Sequence, residues 1–494
     1  MKFRYILSAL LLCFFYNTSA QTINGRIIEA ETQEGIPFVT VQLGSNYGVI
    51  SNEEGYFILK PRQTDEESVL IFSSMGFESI EIPLSEFEND QSVVLSPSTY
   101  ELDEVLLFDR ELTAEDILKR FRTNRKQNHD INNSKIQLFS RYNDNYQAKI
   151  FDVDVEKASF MSKGERKQMN TAMQDLGSKI TSTPSVFYQE RLSDILVFED
   201  TLITDHKKAL NLINRDKTFN TDEIQEQVFY ELMSTLKSPH SFKVRTGIIP
   251  LGKDISLSEL IEDMENDQKQ QNVPDTLKNK SSYRGKSYKR YATNFNHDFI
   301  MTPKYYEYKL VGVTKAYGQP CYHLKFSPDR RKGKYVGDLF INTQDFGMVS
   351  YKFDLDEGKK AMNVNLKFVL GIKVNTFLDS GFYVFSKTED NRYFPKYVKS
   401  TDGNYAYINR SLMFKENNPT RSDRKKLKLE FELEYDLIET TELVGIEMEN
   451  TTLDLASSLS VEDYILIDEL STYNPSYWEN YNIIEATEAI KSYE

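Results

Sequence analysis

Five histidines and a Gly-Lys-Ser tripeptide are the first residues of this chain whose types could support catalysis. A zinc hydrolase needs a His-x-x-Glu pair and a distant third ligand, because zinc takes three protein ligands and keeps one position open for water. His129, His206, His240, His297 and His323 are followed three residues later by Asn132, Ala209, Lys243, Ile300 and Phe326, so none begins such a pair. Arg284–Ser287 ends like a phosphate-binding loop, yet Lys280 stands where the loop's first glycine belongs. Neither a Gly-x-Ser-x-Gly nucleophile elbow nor a Gly-x-Gly-x-x-Gly dinucleotide turn occurs.

Cys321 and His323 could in principle act as nucleophile and base. They alternate with Lys325 along the polar side of an expected strand, where a surface histidine needs no catalytic role. Paired carboxylates carry no signal in so acidic a chain, and Glu430, Glu432 and Glu434 read as a solvated strand face. No catalytic residue, cofactor or metal is therefore assigned, and the chain is expected not to be an enzyme. A hydrolase without a recognisable motif is the remaining catalytic alternative. The net charge of −15 argues against nucleic acid as partner, since phosphate binding needs clustered positive charge.

Lys2 and Arg4 precede an apolar run from Tyr5 to Tyr16, and Thr18 and Ala20 supply the small residues of a cleavage site. Residues 1–20 thus read as a secretory signal peptide, too short in its apolar part to span a membrane that needs roughly 20 residues. Export to the periplasm, or to the periplasmic face of an outer membrane, follows as the expectation. Removing the signal takes the charge to −17 and leaves Cys321 as the one cysteine, so stability must come from burial.

From Thr22 to Leu95 short strand-like segments alternate with turns at Gly35–Pro37, Asn52–Gly55 and Met75–Gly76, a spacing that predicts a β-sandwich over residues 21–97. In the hairpin "SNEEGYFIL", Asn52 can bond its own backbone two residues on and Gly55 can take a positive φ. Gly25, the stretch "GIPFVTV", the turn ending Gly55-Tyr56-Phe57, and Met75-Gly76-Phe77 together resemble the carboxypeptidase regulatory-like domain, a transthyretin-like sandwich of exported Bacteroidota proteins. The chain has Ser51-Asn52 where that family usually has Thr-Asp. The resemblance implies an accessory module without catalytic residues, in which Asn52, Gly55, Phe57 and Gly76 shape the sandwich turns.

Residues 98–135 read as a linker with a helix from Thr113 to Gln127, capped by Thr113 and Asp116. Residues 136–445 read as a larger β-rich domain, a curved antiparallel sheet or half-barrel, with helices and loops inserted at about 160–280. One such piece is Asp222–Leu236. The alternation in Tyr322, Leu324 and Phe326, in Val349, Tyr351, Phe353 and Leu355, and in Val364, Leu366, Phe368 and Leu370 gives each strand one dry face. The strand "LKLEFELEYDL" turns Leu427 to Leu437 inward and its charges outward. "PSVFYQERLSDILVF" and the run from Tyr305 to Leu355 resemble an uncharacterised Bacteroidota envelope family that joins the same regulatory module to a β-rich region.

Residues 446–494 form an aromatic segment in which Tyr477, Trp478 and Tyr481 either dock on the body or meet a partner, after a short helix expected in "LSVEDYILIDEL". Two basic islands, Arg330, Arg331, Lys332 and Lys334 and then Arg421, Arg424, Lys425 and Lys426, are candidates for phosphate or acidic contacts against a reading as solvated loops. Thr201 and Thr276 lie in Asp-Thr-Leu patterns similar to an O-glycosylation acceptor. The expected function is a non-catalytic envelope adaptor or binding module, with envelope proteins or lipid as partners and outer-membrane association. The alternative is a periplasmic carrier holding a lipid or lipoprotein against the inward aromatic faces.

Overall fold

The computed structural model describes residues 22–44, 47–61, 67–98, 112–198, 202–214, 236, 238–247, 249–250, 252, 254–256, 276–278, 295–452 and 464–493. The signal segment, the linker at 99–111, nearly all of the stretch 222–236, Arg284–Ser287, and the side chains of Thr201 and Thr276 lie outside them.

Seven short strands build the N-terminal module: β1 (Ile23–Glu29), β2 (Thr40–Leu43), β3 (Tyr47–Ile50), β4 (Tyr56–Leu59), β5 (Val69–Ser73), β6 (Ile80–Pro83) and β7 (Gln91–Leu95). One sheet runs β4-β1-β7, with β1 and β7 parallel, and the other runs β6-β5-β2-β3. Ile27, Phe57, Leu59 and Val93 of the first pack on Val41, Val49, Leu70 and Phe72 of the second, giving the expected sandwich. At the β3–β4 turn the Asn52 Oδ1 accepts from the Glu54 and Tyr56 amides at 3.0 and 2.9 Å. Gly55 sits at φ +85°, where a Cβ would come within 2.4 Å of the Ile27 carbonyl oxygen. Any other residue there would be strained and would clash.

Helix α1 (Ala114–Asn128) starts from Thr113 with a complete capping box to Asp116 and buries Ile117, Leu118 and Phe121. Strand β8 (Ser134–Ala158) leads to α2 (Lys163–Ser182), then β9 (Ser185–Val197) and β10 (Leu202–Leu212). Smaller pieces follow: β11 (Phe242–Thr246), β12 (Ile249–Pro250), β13 (Thr276–Lys278) and α3 (Asp298–Met301). The sheet resumes with β14 (Tyr306–Ala316), β15 (Gln319–Pro328), β16 (Tyr335–Asn342), β17 (Met348–Leu355) and β18 (Met362–Leu366), the last turning through α4 (Lys367–Leu370) into β19 (Ile372–Lys387). Long strands β20 (Tyr393–Glu416) and β21 (Lys426–Asn450) precede β22 (Tyr464–Leu466), β23 (Asp468–Leu470) and α5 (Glu488–Lys491).

The large sheet runs β14-β15-β16-β17-β19-β20-β21-β8-β9-β10-β23, antiparallel except at β10–β23. Strand β18 lines the first part of β19 and β11 the end of β20. The edge strands β14 and β23 do not pair with each other. A ring of pairings closes only through the sandwich, by the single pair Tyr47–Glu447 and the isolated bridge Met75–Ala316, so the sheet is open rather than a barrel. Tyr351 and Tyr383 stack at 4.2 Å, and Phe299 stacks on Phe326 at 4.5 Å, in a core roofed by α1 and the segment at 295–301.

Three expectations are corrected. The stretch 160–280 contributes one long helix, α2, but also the strands β9 and β10. Their polar composition reads as loop because their charges bond inside the sheet: Arg191 donates to the Leu210 carbonyl at 2.6 Å and to Asn211 at 2.7 Å. The described part of the expected helix, 464–470, is instead β22 and β23, which pair with β13 and β10. Finally, Val364, Leu366 and Phe368 do not face a core. They are 42%, 42% and 99% exposed, because β18 is an edge strand and Phe368 lies in α4.

Candidate functional site

The sandwich, the large sheet and the C-terminal segment meet at one buried junction. The hairpin turn reaches the C-terminal segment directly: Asn52 donates to the Ala486 carbonyl at 3.2 Å, and Glu54 accepts from the Glu488 amide at 3.1 Å. Next to it Lys60 donates its ammonium to the Trp478 and Tyr481 carbonyls at 3.0 and 3.2 Å, and Asn482 bonds Lys60 and Tyr47. Trp478 is 2% exposed and donates its indole N–H to Glu190 at 2.5 Å. Its contact is therefore within the molecule, while Tyr477 and Tyr481 pack beside it, half-buried.

Glu190 also pairs with Arg141 at 2.7 Å, and Arg141 lies 3.6 Å from Glu442, which accepts the Tyr397 hydroxyl at 2.7 Å. Burial alone would push the Arg141 guanidinium down, but the carboxylates of Glu190 and Glu442 outweigh it and hold it above its ordinary value. Removing one partner of such a group leaves a buried charge unpaired, a loss of about 3–5 kcal/mol. Lys396, wholly buried, donates to the Gly48 carbonyl of β3 at 2.8 Å and to the Ile446 carbonyl of β21 at 3.0 Å. Burial pushes its ammonium down to about 7, against the opposing pull of Glu447. Beside this seam lies a cleft of about 390 Å³, lined by Phe38, Met75, Tyr317, Phe353 and Phe382 among others.

The remaining sequence candidates are scattered. Gly76 and Phe57 stay within the sandwich, at φ +82° and in its core. Cys321 is fully buried, although it lies on the side of β15 expected to be polar, and burial pushes its thiol well up and out of the nucleophilic range. His323 bonds Asp338 at 2.6 Å; burial would push that carboxyl up, but His323 and Lys352 hold it below the usual range. Ser193 and His206 form a buried pair at 2.8 Å that the sequence did not reveal. Among the described residues no three His, Cys, Asp or Glu side chains group closely enough to hold a metal. Arg330, Arg331 and Lys332 are exposed in the β15–β16 turn, whereas Arg424 and Lys425 of the second island bond the Asn418 and Leu236 carbonyls.

Beyond the junction the sheet continues through β18 to β21 and β8. Three cross-strand rows run over β18, β19, β20, β21 and β8: Leu366-Ile372-Ile408-Leu433-Phe151, Val364-Val374-Ala406-Tyr435-Ala148, and Met362-Thr376-Asn404-Leu437-Tyr146. Directly opposed residues share a face, so one face here is largely apolar. Helix α2 covers its β8 end, where Gly177 lies so close that a Cβ would come within 2.2 Å of the Phe151 carbonyl oxygen. Toward β18 the rows are half-exposed, ending in Phe368 at 99% and Val369 at 80% exposure. The other face is polar: Tyr407 and Tyr405 donate to Glu432 and Glu434 at 2.7 and 3.1 Å. The inward aromatic faces of β15 and β17, by contrast, pack against Phe295 and Phe299, and of these residues Phe353 also lines the cleft beside the seam.

Seven strands in two sheets, with the Gly55 turn and the Phe57–Phe72 core, decide the N-terminal module. Residues 23–107 match the family model of the CarboxypepD_reg-like domain. No curated protein matches the chain. Among solved structures the chain is similar to a candidate membrane-associated protein of unknown function from Bacteroides fragilis, at 8% identity over 85% of this chain and 97% of that one. The TM-score of 0.13 is too low for that likeness to carry an argument. The CarboxypepD_reg-like domain thus accounts for the sandwich, and the large sheet is read from its own geometry. Among the described residues no helix is long and apolar enough to cross a membrane.

Proposed function

We propose that this chain is a non-catalytic, exported binding module of the cell envelope, which meets its partner on the uncovered apolar face formed by β18 to β21. The CarboxypepD_reg-like domain and the C-terminal segment act as its holder. One observation carries the reading: the same sheet is packed at the junction, while toward β18 no described residue covers its apolar face, although burying that face would stabilise the fold. An apolar surface of this extent, rimmed by polar residues, is the usual mark of an interaction site. The seam of Asn52, Lys60, Arg141, Glu190, Lys396 and Trp478 supports the holding part, since it fixes the sandwich and the tail to the sheet base.

Photo-crosslinking in a producing cell tests this. A photoreactive residue at Val374 or Leu433 is expected to capture lipid or a defined envelope protein, while one at Val94, 45% exposed on the sandwich, captures little. Equal capture from all three positions, or none from the rows, would overturn the assignment of the face.

A further inference from the structure

The face just described ends in an edge hairpin rich in lysine. Residues 359–378, "KKAMNVNLKFVLGIKVNTFL", contain Lys359, Lys360, Lys367 and Lys373 and no Asp or Glu, in a chain of net charge −15. At its tip α4 presents Phe368 and Val369 to solvent, and at the other end of the hairpin Met362 and Phe377 are 46% and 38% exposed. The tip is held rigidly from behind. Gly371 caps α4 with its N–H on the Lys367 carbonyl at 2.9 Å, and Arg410 donates to the Leu370 carbonyl at 2.6 Å and to the Thr246 carbonyl at 2.9 Å. A two-residue apolar protrusion on a fixed base, with its hydrophobic side chains turned outward, would be a stability and solubility liability if nothing received it.

Lys367 and Lys373 lie at the tip end, and Lys359 and Lys360 lie at the opposite end of β18, just after Asp356 and Glu357. Lys367 lies over the Tyr407 ring at 3.8 Å and Lys373 over the Tyr405 ring at 5.0 Å, so both are held along the polar side of the hairpin. Lys334 donates to the Ala361 carbonyl at 2.6 Å, which brings the turn carrying Arg330, Arg331 and Lys332 beside the start of β18. The carboxylates Glu432 and Glu434 are set back on β21, behind β19 and β20, and stay in water when the edge is presented forward. An outward aromatic and aliphatic pair on an edge strand with lysines at both ends matches a surface with an apolar interior and an anionic skin.

We infer that the β18–α4–β19 hairpin docks edge-on to an anionic lipid bilayer, with Phe368 and Val369 entering the acyl boundary and Lys359, Lys360, Lys367 and Lys373 meeting the headgroup phosphates. This rests on the binding-face reading and names lipid as what that face meets first. Neither signal suffices alone: a short apolar tip gives weak binding, and a few lysines add about fivefold each at an anionic surface. Together they give reversible attachment that weakens with salt.

The test is co-sedimentation of the full mature chain with vesicles of phosphatidylcholine alone and of phosphatidylcholine mixed with phosphatidylglycerol, at low and high salt. Binding to the mixed vesicles is expected, falling with salt. Phe368→Ser with Val369→Ser should cut it roughly tenfold or more, and replacing the four lysines by Gln should bring it to the level seen with phosphatidylcholine alone. Because Lys367, Phe368 and Val369 are exposed and Lys359, Lys360 and Lys373 are half-exposed, the variants should stay close to the wild-type unfolding midpoint. Absence of vesicle binding by the wild type, or equal binding by the Ser variant, would overturn the inference. So would a wild-type dimer, by sedimentation, that the Ser variant abolishes, since the edge would then serve a second copy of the chain. If vesicle binding fails while Val374 and Leu433 still crosslink a protein, lipid docking falls and the binding face stands.

Discussion

The two ends of one continuous sheet are built to opposite rules. At the junction, β8, β9, β20 and β21 bury Arg141 and Lys396, which bond the Ile484 carbonyl of the C-terminal segment and the Gly48 carbonyl of the sandwich, and Trp478 donates to Glu190. Toward β18 the same strands keep their alternation but have an apolar face that packs on nothing among the described residues. Alternation makes a strand with a dry face. It does not supply the layer that keeps the face dry. Among the described residues the sandwich, α1 and the C-terminal segment supply that layer at the junction, and toward β18 no described residue does.

The contrast can be broken most severely at the junction. Arg141→Leu strands Glu190 and Glu442 without their cation and is expected to cost about 3–5 kcal/mol, read as a fall in the urea midpoint. Phe299→Ala, in the filled core beneath α1, should cost a comparable 3–5 kcal/mol. Leu433→Ala on the open face should cost less than half as much, because a half-exposed side chain leaves no cavity. Equal losses at the two positions would mean that the distal face is packed after all.

A smaller effect is expected from His129. Burial holds its imidazole down to about 3, neutral, with Nε2 accepting the Met348 amide at 3.1 Å. Between that value and about 6.5 the unfolded chain binds a proton that the folded chain does not, so stability falls as pH falls through this window. Asp402 acts the other way. Its carboxyl is pushed up to about 6 by burial and by Asp379 and Glu439, and its contribution is lost as pH rises toward that value. The unfolding free energy of wild type minus His129→Phe, measured from pH 7 to pH 4, cancels the Asp402 part. That difference should decline with acid, and a flat difference would contradict the assignment. Least of all, Phe368→Ser alone should shift stability by no more than about 0.5 kcal/mol.

Much of the fold could be read from residue patterns. The Asn52–Gly55 turn, the Thr113–Asp116 cap and the dry faces of β15 and β17 each depend on local chemistry or on a period, which a sequence displays. What escaped depends on tertiary context. Strands β9 and β10 read as loop because Glu190, Arg191, Asp194 and His206 are polar in composition and buried in fact. Gly177 gave no sign that α2 would lie against Phe151. The stretch from Val364 to Leu370 has the period of a core strand, and only the place of β18 at the sheet edge decides that its apolar residues face water. The charge bias of residues 359–378 is present in the sequence, but residues 308–328 of the buried strands β14 and β15 also lack Asp and Glu, so the bias alone does not mark this hairpin apart.

Hydrogen exchange followed by mass spectrometry tests the division between held and open regions most directly. Without lipid or partner, amides in 362–370 are expected to exchange quickly while those of β16 and β17 stay protected, and anionic vesicles should slow exchange in 362–374 without changing the junction. Protection of 362–370 in the isolated chain equal to that of β16 and β17 would contradict the account, because the hairpin would then be part of the packed core.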